Sequence, residues 1–576
     1  MSSSTPPQQE EKAPAIPTHR FAKLNPFRSE GDEGGEELGE DLTDLSVAGG
    51  GRGTLADGED RKKLHVSYAL RKFLHDQGEV KEAEVGKHEE EAPHSPAIQS
   101  ILARQPTVVP TGPGGPNDRS HPLSSYLISS SHNSYLVGNQ LRGKTSAERY
   151  TQILAAGCRC VEIDAWDGDD INEPKVTHGM TLVEHITFRS AVEAIGRQLE
   201  KEIQASKSVG APLPLPIFIS LENHCSAEGQ RRLAAIMREV LAEKLVTEAV
   251  HADGTEAKLS DLEGKVITMV EWYAGDEAKA AAATEGKEGK DKETKVKIVP
   301  ELATLGVYAQ SVKPTSDAWL KGEMRDPANP LLNIGEGPLL EIIDKHEKPD
   351  AVVRHNASAL MRVYPAGTRI TSHNLNPVPF WGVGAQVAAL NCQTFDHSMQ
   401  LQEAMFDGTD GWALKPAYLR KEAGPRPTGT TVLRLTVAGG SDLPVPEGRD
   451  GEDIKPYVTC TLYHPNHVDE KPEKRKTSHY KRHKLSGMLH KHENPPPTSP
   501  FWHHPETLEW EYPADDLVFL RILVKSDDSF ARNPVFAAAA VRVSYLQPGW
   551  CFLRLFNLRG EITRGTLLVK FEVGNK

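Results

Sequence analysis

Two acidic residues two positions apart, Glu162 and Asp164, lie in the run Val161-Glu162-Ile163-Asp164-Ala165-Trp166-Asp167-Gly168, whose β-branched residues favour a strand. Side chains two apart on a strand point to one side, so both carboxylates face the same way while Val161 and Ile163 face the other. Two neighbouring carboxylates inside a fold are unfavourable unless a cation neutralises them. Three more short runs end in groups of comparable chemical value: Ser131-His132-Asn133-Ser134-Tyr135, Thr177-His178-Gly179 and Ser220-Leu221-Glu222-Asn223-His224. Asn133, Glu162, Asp164 and Glu222 offer oxygen ligands, a set that favours calcium or magnesium over zinc. His132 and His178 add groups suited to proton transfer. Each residue alone has a plainer reading: a surface or core histidine, a solvated strand edge, a turn asparagine, a charge at a helix N-terminus. Their shared position at successive strand ends favours a metal-assisted phosphodiesterase without excluding those readings.

The elements that must hold these residues show a regular rhythm. Apolar β-like runs recur at 126–130, 158–164, 175–178, 215–221, 265–270, 305–310, 359–364 and 385–391, with helix-like stretches at 146–156, 187–205 and 227–245. Eight strands alternating with helices predict an α/β fold, a parallel barrel whose strand ends share one face; a doubly wound sheet alternates in the same way. The Ala-, Glu-, Lys- and Gly-rich stretch 274–297 cannot fill a core and reads as an excursion between two halves of one barrel. After residue 424 the rhythm becomes all-β, with Thr431–Val437, Tyr457–Tyr463, Leu517–Val524 and Thr566–Val573 predicting a sandwich of about 140 residues. Residues 1–60 read as a disordered acidic, Ser/Pro/Gly-rich tail. A helical period with Leu70, Phe73 and Leu74 on one face follows, without a calcium loop, and then a Pro/Gly-rich linker near 106–118.

At 576 residues the chain exceeds one ordinary domain. A net charge of −13 argues against a nucleic-acid partner and leaves any attraction to anionic surfaces to local basic patches. One such patch is Lys471, Lys474, Arg475, Lys476, Lys481, Arg482, Lys484 and Lys491, read as a polar insertion between sandwich strands. Six cysteines without zinc-ligand spacing predict reduced thiols. The first residues do not read as a signal peptide, and no apolar run is long enough to cross a bilayer.

The quoted motifs, joined by Arg354-His355-Asn356-Ala357-Ser358, Met361-Arg362-Val363-Tyr364-Pro365, Ala389-Leu390-Asn391-Cys392-Gln393-Thr394 and Leu414-Lys415-Pro416, resemble the eukaryotic phosphoinositide-specific phospholipase C family, in its small delta-like, fungal form. The resemblance implies a TIM-type (β/α)8 barrel split into an X half (121–273), a spacer (274–300) and a Y half (301–420), followed by a C2-like domain (430–573). The region 61–118 would then be a short helical segment and linker, with an EF-hand remnant as one reading. It implies calcium held by Asn133, Glu162, Asp164 and Glu222, with His132 at the phosphoryl group and His178 as general acid. Glu162 or Glu222 would be the base, and Ser311, Arg362 and Tyr364 would bind the inositol head group. It implies hydrolysis of inositol phospholipids in lipid signalling, by a monomer in the cytoplasm meeting the inner face of membranes through barrel rim and C2 domain. The alternatives are a weak or inactive lipid-binding scaffold of the same family and a barrel enzyme cleaving glycerophosphodiesters. Three departures stand out. Met269 and Glu271 align where the family carries two lysines for ring phosphates. The rim positions Leu141, Met180, Leu182 and Thr368 lack aromatics. Asp442, Asp527 and Asp528 are too few for a second calcium site in the sandwich.

Overall fold

The computed structural model describes residues 49–52, 58–87, 93–138, 144–179, 184–272, 298–314, 316–324, 326–345, 348–369, 372–422, 424–446, 448–468, 471–482, 494–527 and 534–576. Eight parallel strands form the barrel: β1 (Tyr126–Ile128), β2 (Cys160–Trp166), β3 (Ile217–Asn223), β4 (Val266–Glu271), β5 (Gln310–Val312), β6 (Pro330–Gly335), β7 (Leu360–Tyr364) and β8 (Val387–Ala388). Each pairs with the next in parallel from β2 to β8, and β8 pairs with β1. A parallel bridge from Ser130 to Cys160, with the Cys160 N–H donating to the Ser129 carbonyl at 3.0 Å, closes the ring.

The barrel is the one expected, with a different membership. Lys175–Val176, expected as a barrel strand, pairs antiparallel with the end of β2, Ala165 opposite Val176. The eighth place is taken by Pro330–Gly335, which lies in none of the expected runs. A strand's apolar pattern carries no information about whether its partner runs parallel or antiparallel, so Lys175–Val176 and a true barrel strand look alike in sequence.

Two shells of apolar residues hold the barrel. Val161, Ile163, Ile217 and Ile219 point outward against the helices Glu148–Ala156, Phe188–Val209 and Ala227–Leu241. Ile128, Cys160, Phe218, Ile267, Met269, Leu331, Leu360 and Val387 fill the interior below the mouth, with Trp412. The base is tied by polar groups. Buried Gln386 accepts from the Met361 N–H at 2.8 Å, and its amide nitrogen lies 2.9, 2.8 and 3.0 Å from the carbonyls of Ser124, Asn356 and Ala359. The buried Lys415 ammonium donates to the Ser124 and Asn356 carbonyls at 2.7 and 2.9 Å.

The sandwich contains β9 (Thr430–Ser441), β10 (Pro456–Tyr463), β11 (Glu473–Lys476), β12 (Thr507–Pro513), β13 (Phe519–Ser526), β14 (Val535–Arg542), β15 (Gly549–Phe556) and β16 (Ile562–Asn575), in the order β11-β10-β13-β14-β15-β16-β9-β12. A single pair, Ala538 opposite Phe556, joins the β14 and β15 halves, so the sheet folds into two layers there. The barrel helix His397–Phe406 lies on β13 and β14, where the Arg521 Nε donates to Gln400 Oε1 at 2.7 Å and Trp381 meets Phe519. Helices Tyr68–Asp76 and Pro96–Ala103 bury Leu70, Leu74, Ile98 and Leu102 against Ala438, Trp550 and Phe552 of the sandwich. In the stretch expected as a linker, the Val108 N–H donates to the Tyr545 carbonyl at 2.9 Å.

Replacing Gln386 by Leu strands the buried Met361 N–H and Ala359 carbonyl, each at about 1–3 kcal/mol. Gln386→Leu is therefore expected to lose roughly 2–6 kcal/mol of unfolding free energy, read as a lower urea midpoint at an unchanged slope; an unaltered midpoint would show that the amide does not tie the base.

Candidate active site

The mouth of the barrel is built where β1, β2 and β3 end. Glu162 and Asp164 both point inward from β2, 1% and 5% exposed, and Asp164 stands in register with Glu222 on β3. Carboxylate oxygens of the three lie within 4.8 Å of one another, the metal-type cluster found among the described residues. Asn133 joins them because its backbone takes a left-handed turn (φ 45°), a region Asn tolerates better than most residues. Its N–H donates to Glu162 Oε2 at 2.8 Å. The Tyr135 hydroxyl reaches Asp164 Oδ2 at 2.6 Å and Asn133 Oδ1 at 3.2 Å, drawing the amide oxygen into the cluster.

The electrostatics of this cluster are those of a site built for a cation. Burial, then the charges of Glu162 and Glu222, push the Asp164 carboxyl well above the usual range; Glu162, then burial, raise Glu222. Arg362 on β7, 1% exposed, bonds Glu162 Oε1, lies 3.9 Å from Glu222 and is 3.2 Å from Asn333 Oδ1. One guanidinium cannot balance three carboxylates, and among the described residues the buried Asp164 Oδ1 has no hydrogen-bond partner. The donor set is oxygen alone, so these residues fit a hard divalent ion such as calcium.

His132 stands beside the cluster, Nε2 3.8 Å from Glu162 Oε2. Its Nδ1 donates to Asn391 Oδ1 at 2.8 Å, because Ser131–His132 pairs in parallel with Leu390–Asn391. Burial, and then Arg362, bring its pKa down to about 4. His178 arrives from the antiparallel segment on β2: the Thr177 N–H donates to the Asp164 carbonyl at 3.3 Å, placing His178 just past the strand that carries the acids. Ser311 on β5 lines the cleft leading to the cluster, with Glu222, Met269, Glu271, Lys313 and Asn333. Tyr364 follows Arg362 on the same face of β7 and is half-buried.

Two residues escaped the sequence reading. Asn333, in register with Arg362 and bonded to it, sits on the strand that was missed. Asn391 lies within a quoted motif but received no role; its pairing with His132 joins residues 259 apart. The rim positions Leu141, Met180 and Leu182 fall outside the described residues, as does Asp528; Thr368 is exposed. Asp442 pairs with His65 and Arg564, and Asp527 with His479.

A closed parallel barrel with an all-oxygen acid cluster at its C-terminal mouth places the protein among α/β barrels whose strand ends carry the candidate site. Residues 119–271 match the phosphatidylinositol-specific phospholipase C X domain, and residues 302–418 match the Y domain of the same family. The rat 1-phosphatidylinositol 4,5-bisphosphate phosphodiesterase delta-1 is 30% identical over 495 residues, covering 79% of this chain and 61% of the relative. The Candida albicans 1-phosphatidylinositol 4,5-bisphosphate phosphodiesterase 1 is 28% identical, covering 78% and 47%. The L. pealei PLC21 crystal structure superposes with a TM-score of 0.64 at 26% identity, over 80% of this chain and 56% of that one. The chain belongs to the eukaryotic phosphoinositide-specific phospholipase C family, with X and Y domains followed by the antiparallel sandwich. It spans about three fifths or less of the length of these relatives.

Because Asp164 and Glu222 have raised pKa values in the metal-free protein, the folded state holds protons there that the unfolded state releases. Their stability contribution is thus lost as pH rises from about 4 through the raised folded values. Asp164→Asn is expected to raise the melting temperature in chelator at neutral pH and to abolish stabilisation by added calcium. A lower melting temperature for the variant in chelator would contradict the charge-repulsion account.

Proposed function

We propose that this protein is a calcium-dependent phospholipase C that hydrolyses inositol phospholipids to diacylglycerol and inositol phosphate. The observation that carries the reading is the trio of carboxylates within 4.8 Å of one another beside His132, inside domains matched to the family. The test is calcium-dependent release of water-soluble inositol phosphate from defined vesicles by the wild type and by His132→Ala. Undiminished release in chelator, or by the variant, would sink it.

Asn133, Glu162, Asp164 and Glu222 would hold the ion, which when bound supplies charge that lowers the pKa of the inositol 2-hydroxyl and offsets charge at phosphorus. Glu162 is engaged by Arg362 and the Asn133 N–H, whereas Glu222 is half-exposed at the cleft. Glu222 is therefore the better-placed base to take the 2-hydroxyl proton. The 2-oxygen attacks phosphorus, the bond to the diacylglycerol oxygen breaks, and His178 protonates that leaving oxygen. Water then opens the cyclic phosphodiester: His178 accepts a proton from the water as its oxygen bonds phosphorus, the bond from phosphorus to the inositol 2-oxygen breaks, and Glu222 returns its proton to that oxygen. An incoming phosphodiester anion raises the pKa of His132, so its Nε2–H donates to phosphoryl oxygen while Asn391 holds Nδ1. His178→Ala is expected to regain most of its rate on a substrate with an acidic leaving group, and His132→Ala is not; equal rescue of both would refute this division.

Head-group selection falls to the cleft. Met269 and Glu271 supply no positive charge, and Lys265 is pinned at the far end of β4, its ammonium donating to the Glu243 carbonyl at 2.9 Å. Lys313, two residues after Ser311, is the cationic side chain lining the cleft. It would meet a ring phosphate, with Ser311, Asn333 and Tyr364 meeting the inositol. Lys313→Gln is expected to shrink the kcat/KM advantage of the bisphosphate over phosphatidylinositol about 3- to 10-fold, and Met269→Lys with Glu271→Lys to enlarge it. An advantage untouched by either change would remove the cleft from head-group recognition.

No helix among the described residues is long and apolar enough to cross a membrane. Attachment at the cytoplasmic face as a monomer would rest on the barrel mouth and the sandwich. The basic patch is partly an edge strand: Lys474, Arg475 and Lys476 lie on β11, Arg475 pairs with Glu473 and Arg482 with Glu452. Lys484 and Lys491 lie outside the described residues.

A further inference from the structure

The antiparallel segment that delivers His178 is held by backbone pairing only part of the way. Trp166 stands opposite Lys175 and Ala165 opposite Val176, and the Thr177 N–H bonds the Asp164 carbonyl at 3.3 Å. The strand pairing with β2 ends at Val176, and three residues further on the corner packs against a side chain. Gly179 lies so close to the Trp166 indole that a Cβ there would come within 2.4 Å of Cζ2 and 3.0 Å of Cη2. The same indole stacks on His224, ring centroids 4.1 Å apart and planes 13° apart. His224 is itself fixed from β2, its N–H donating to the Ala165 carbonyl at 2.8 Å. Asp167 ties the following turn, accepting from the Ser226 N–H at 2.9 Å and the Ser226 hydroxyl at 3.1 Å. The tip of β2 is thereby clamped to the tip of β3, and the indole is the surface on which the His178-Gly179 corner rests. Among the described residues the buried indole Nε1 has no hydrogen-bond partner, so the ring acts here by its shape.

We infer that Trp166 is a positioning residue for His178: its indole, held by His224, sets where the His178-Gly179 corner lies at the barrel mouth. The inference rests on the reading of His178 as the group that protonates the leaving oxygen. Among the described residues the Trp166 side chain makes no hydrogen bond to the acid cluster, and its effect passes through the corner. A misplaced donor loses proton transfer while metal binding and head-group contacts persist, so kcat falls and KM stays. The close approach also explains glycine at 179, since any side chain there would push the corner off the ring.

The test uses the full chain with calcium, phosphatidylinositol vesicles and an inositol aryl phosphodiester whose leaving group is acidic. Trp166→Ala is expected to lower kcat on phosphatidylinositol by about 10- to 100-fold, with KM and the calcium midpoint within about twofold of wild type, and to lose most of that deficit on the aryl substrate. Trp166→Phe, which keeps a ring and drops the N–H, is expected to restore most of the activity. Gly179→Ala is expected to mimic Trp166→Ala and to add nothing when combined with it, a second route should Trp166→Ala fold poorly by thermal melting. In a His178→Ala background Trp166→Ala is expected to cost no further activity, whatever step His178 performs. An equal loss in both backgrounds, or a shifted calcium midpoint, would overturn the positioning role. A His178→Ala variant equally slow on both substrates, with Trp166→Ala still silent in its background, would instead reject the general-acid reading and leave the positioning role standing.

Discussion

Everything at the barrel mouth follows from burying more negative charge than the protein itself can balance. Glu162 and Asp164 are almost fully withdrawn from water, and Glu222 adds a third carboxylate within reach. In a medium of low effective dielectric such a group is strongly destabilising unless protonated, paired or bound to a cation. The protein supplies one guanidinium, from Arg362, and directs hydrogen-bond donors from Asn133 and Tyr135 at the remaining oxygens. The deficit that remains suits the cluster to a divalent ion. The same deficit explains why Asp164 carries an oxygen unpartnered among the described residues, and why burial and mutual repulsion raise the pKa values of Asp164 and Glu222.

That charge is held in place by the two halves of the barrel together. The acids and His178 come from the X half, whereas Arg362, Asn333 and Asn391 come from the Y half. Arg362 reaches across the barrel to Glu162, and Asn391 fixes the orientation of His132 by accepting from Nδ1. Asn391 is itself immobilised, its N–H donating to Asn374 Oδ1 at 2.5 Å while Asn374 is bonded to Asp396 at the N-terminus of the helix His397–Phe406. That helix also packs on the sandwich. The interface that seats the second domain and the network that orients His132 therefore share one element, so a change at that interface has a structural route to the mouth.

The acid pair on one strand, the oxygen-only ligand set, the alternation of strands and helices and the later change to an all-β rhythm were all legible in the sequence. Each is a local property: side-chain period, donor chemistry and turn composition are written in neighbouring residues. What only the tertiary structure decided concerns partners distant along the chain. Lys175–Val176 has the pattern of a barrel strand, yet it turns back on β2, and this reversal is what carries His178 to the acids. Pro330–Gly335 is a barrel strand whose short run stood apart from the expected set, so Asn333 went unseen. Asn391 gains its role from a pairing that spans 259 positions, and Gly179 from an indole thirteen residues earlier that happens to lie across it. The reason is the same in each case: a residue type states which bonds it can make, and only closure of the barrel determines which group is near enough to make them with.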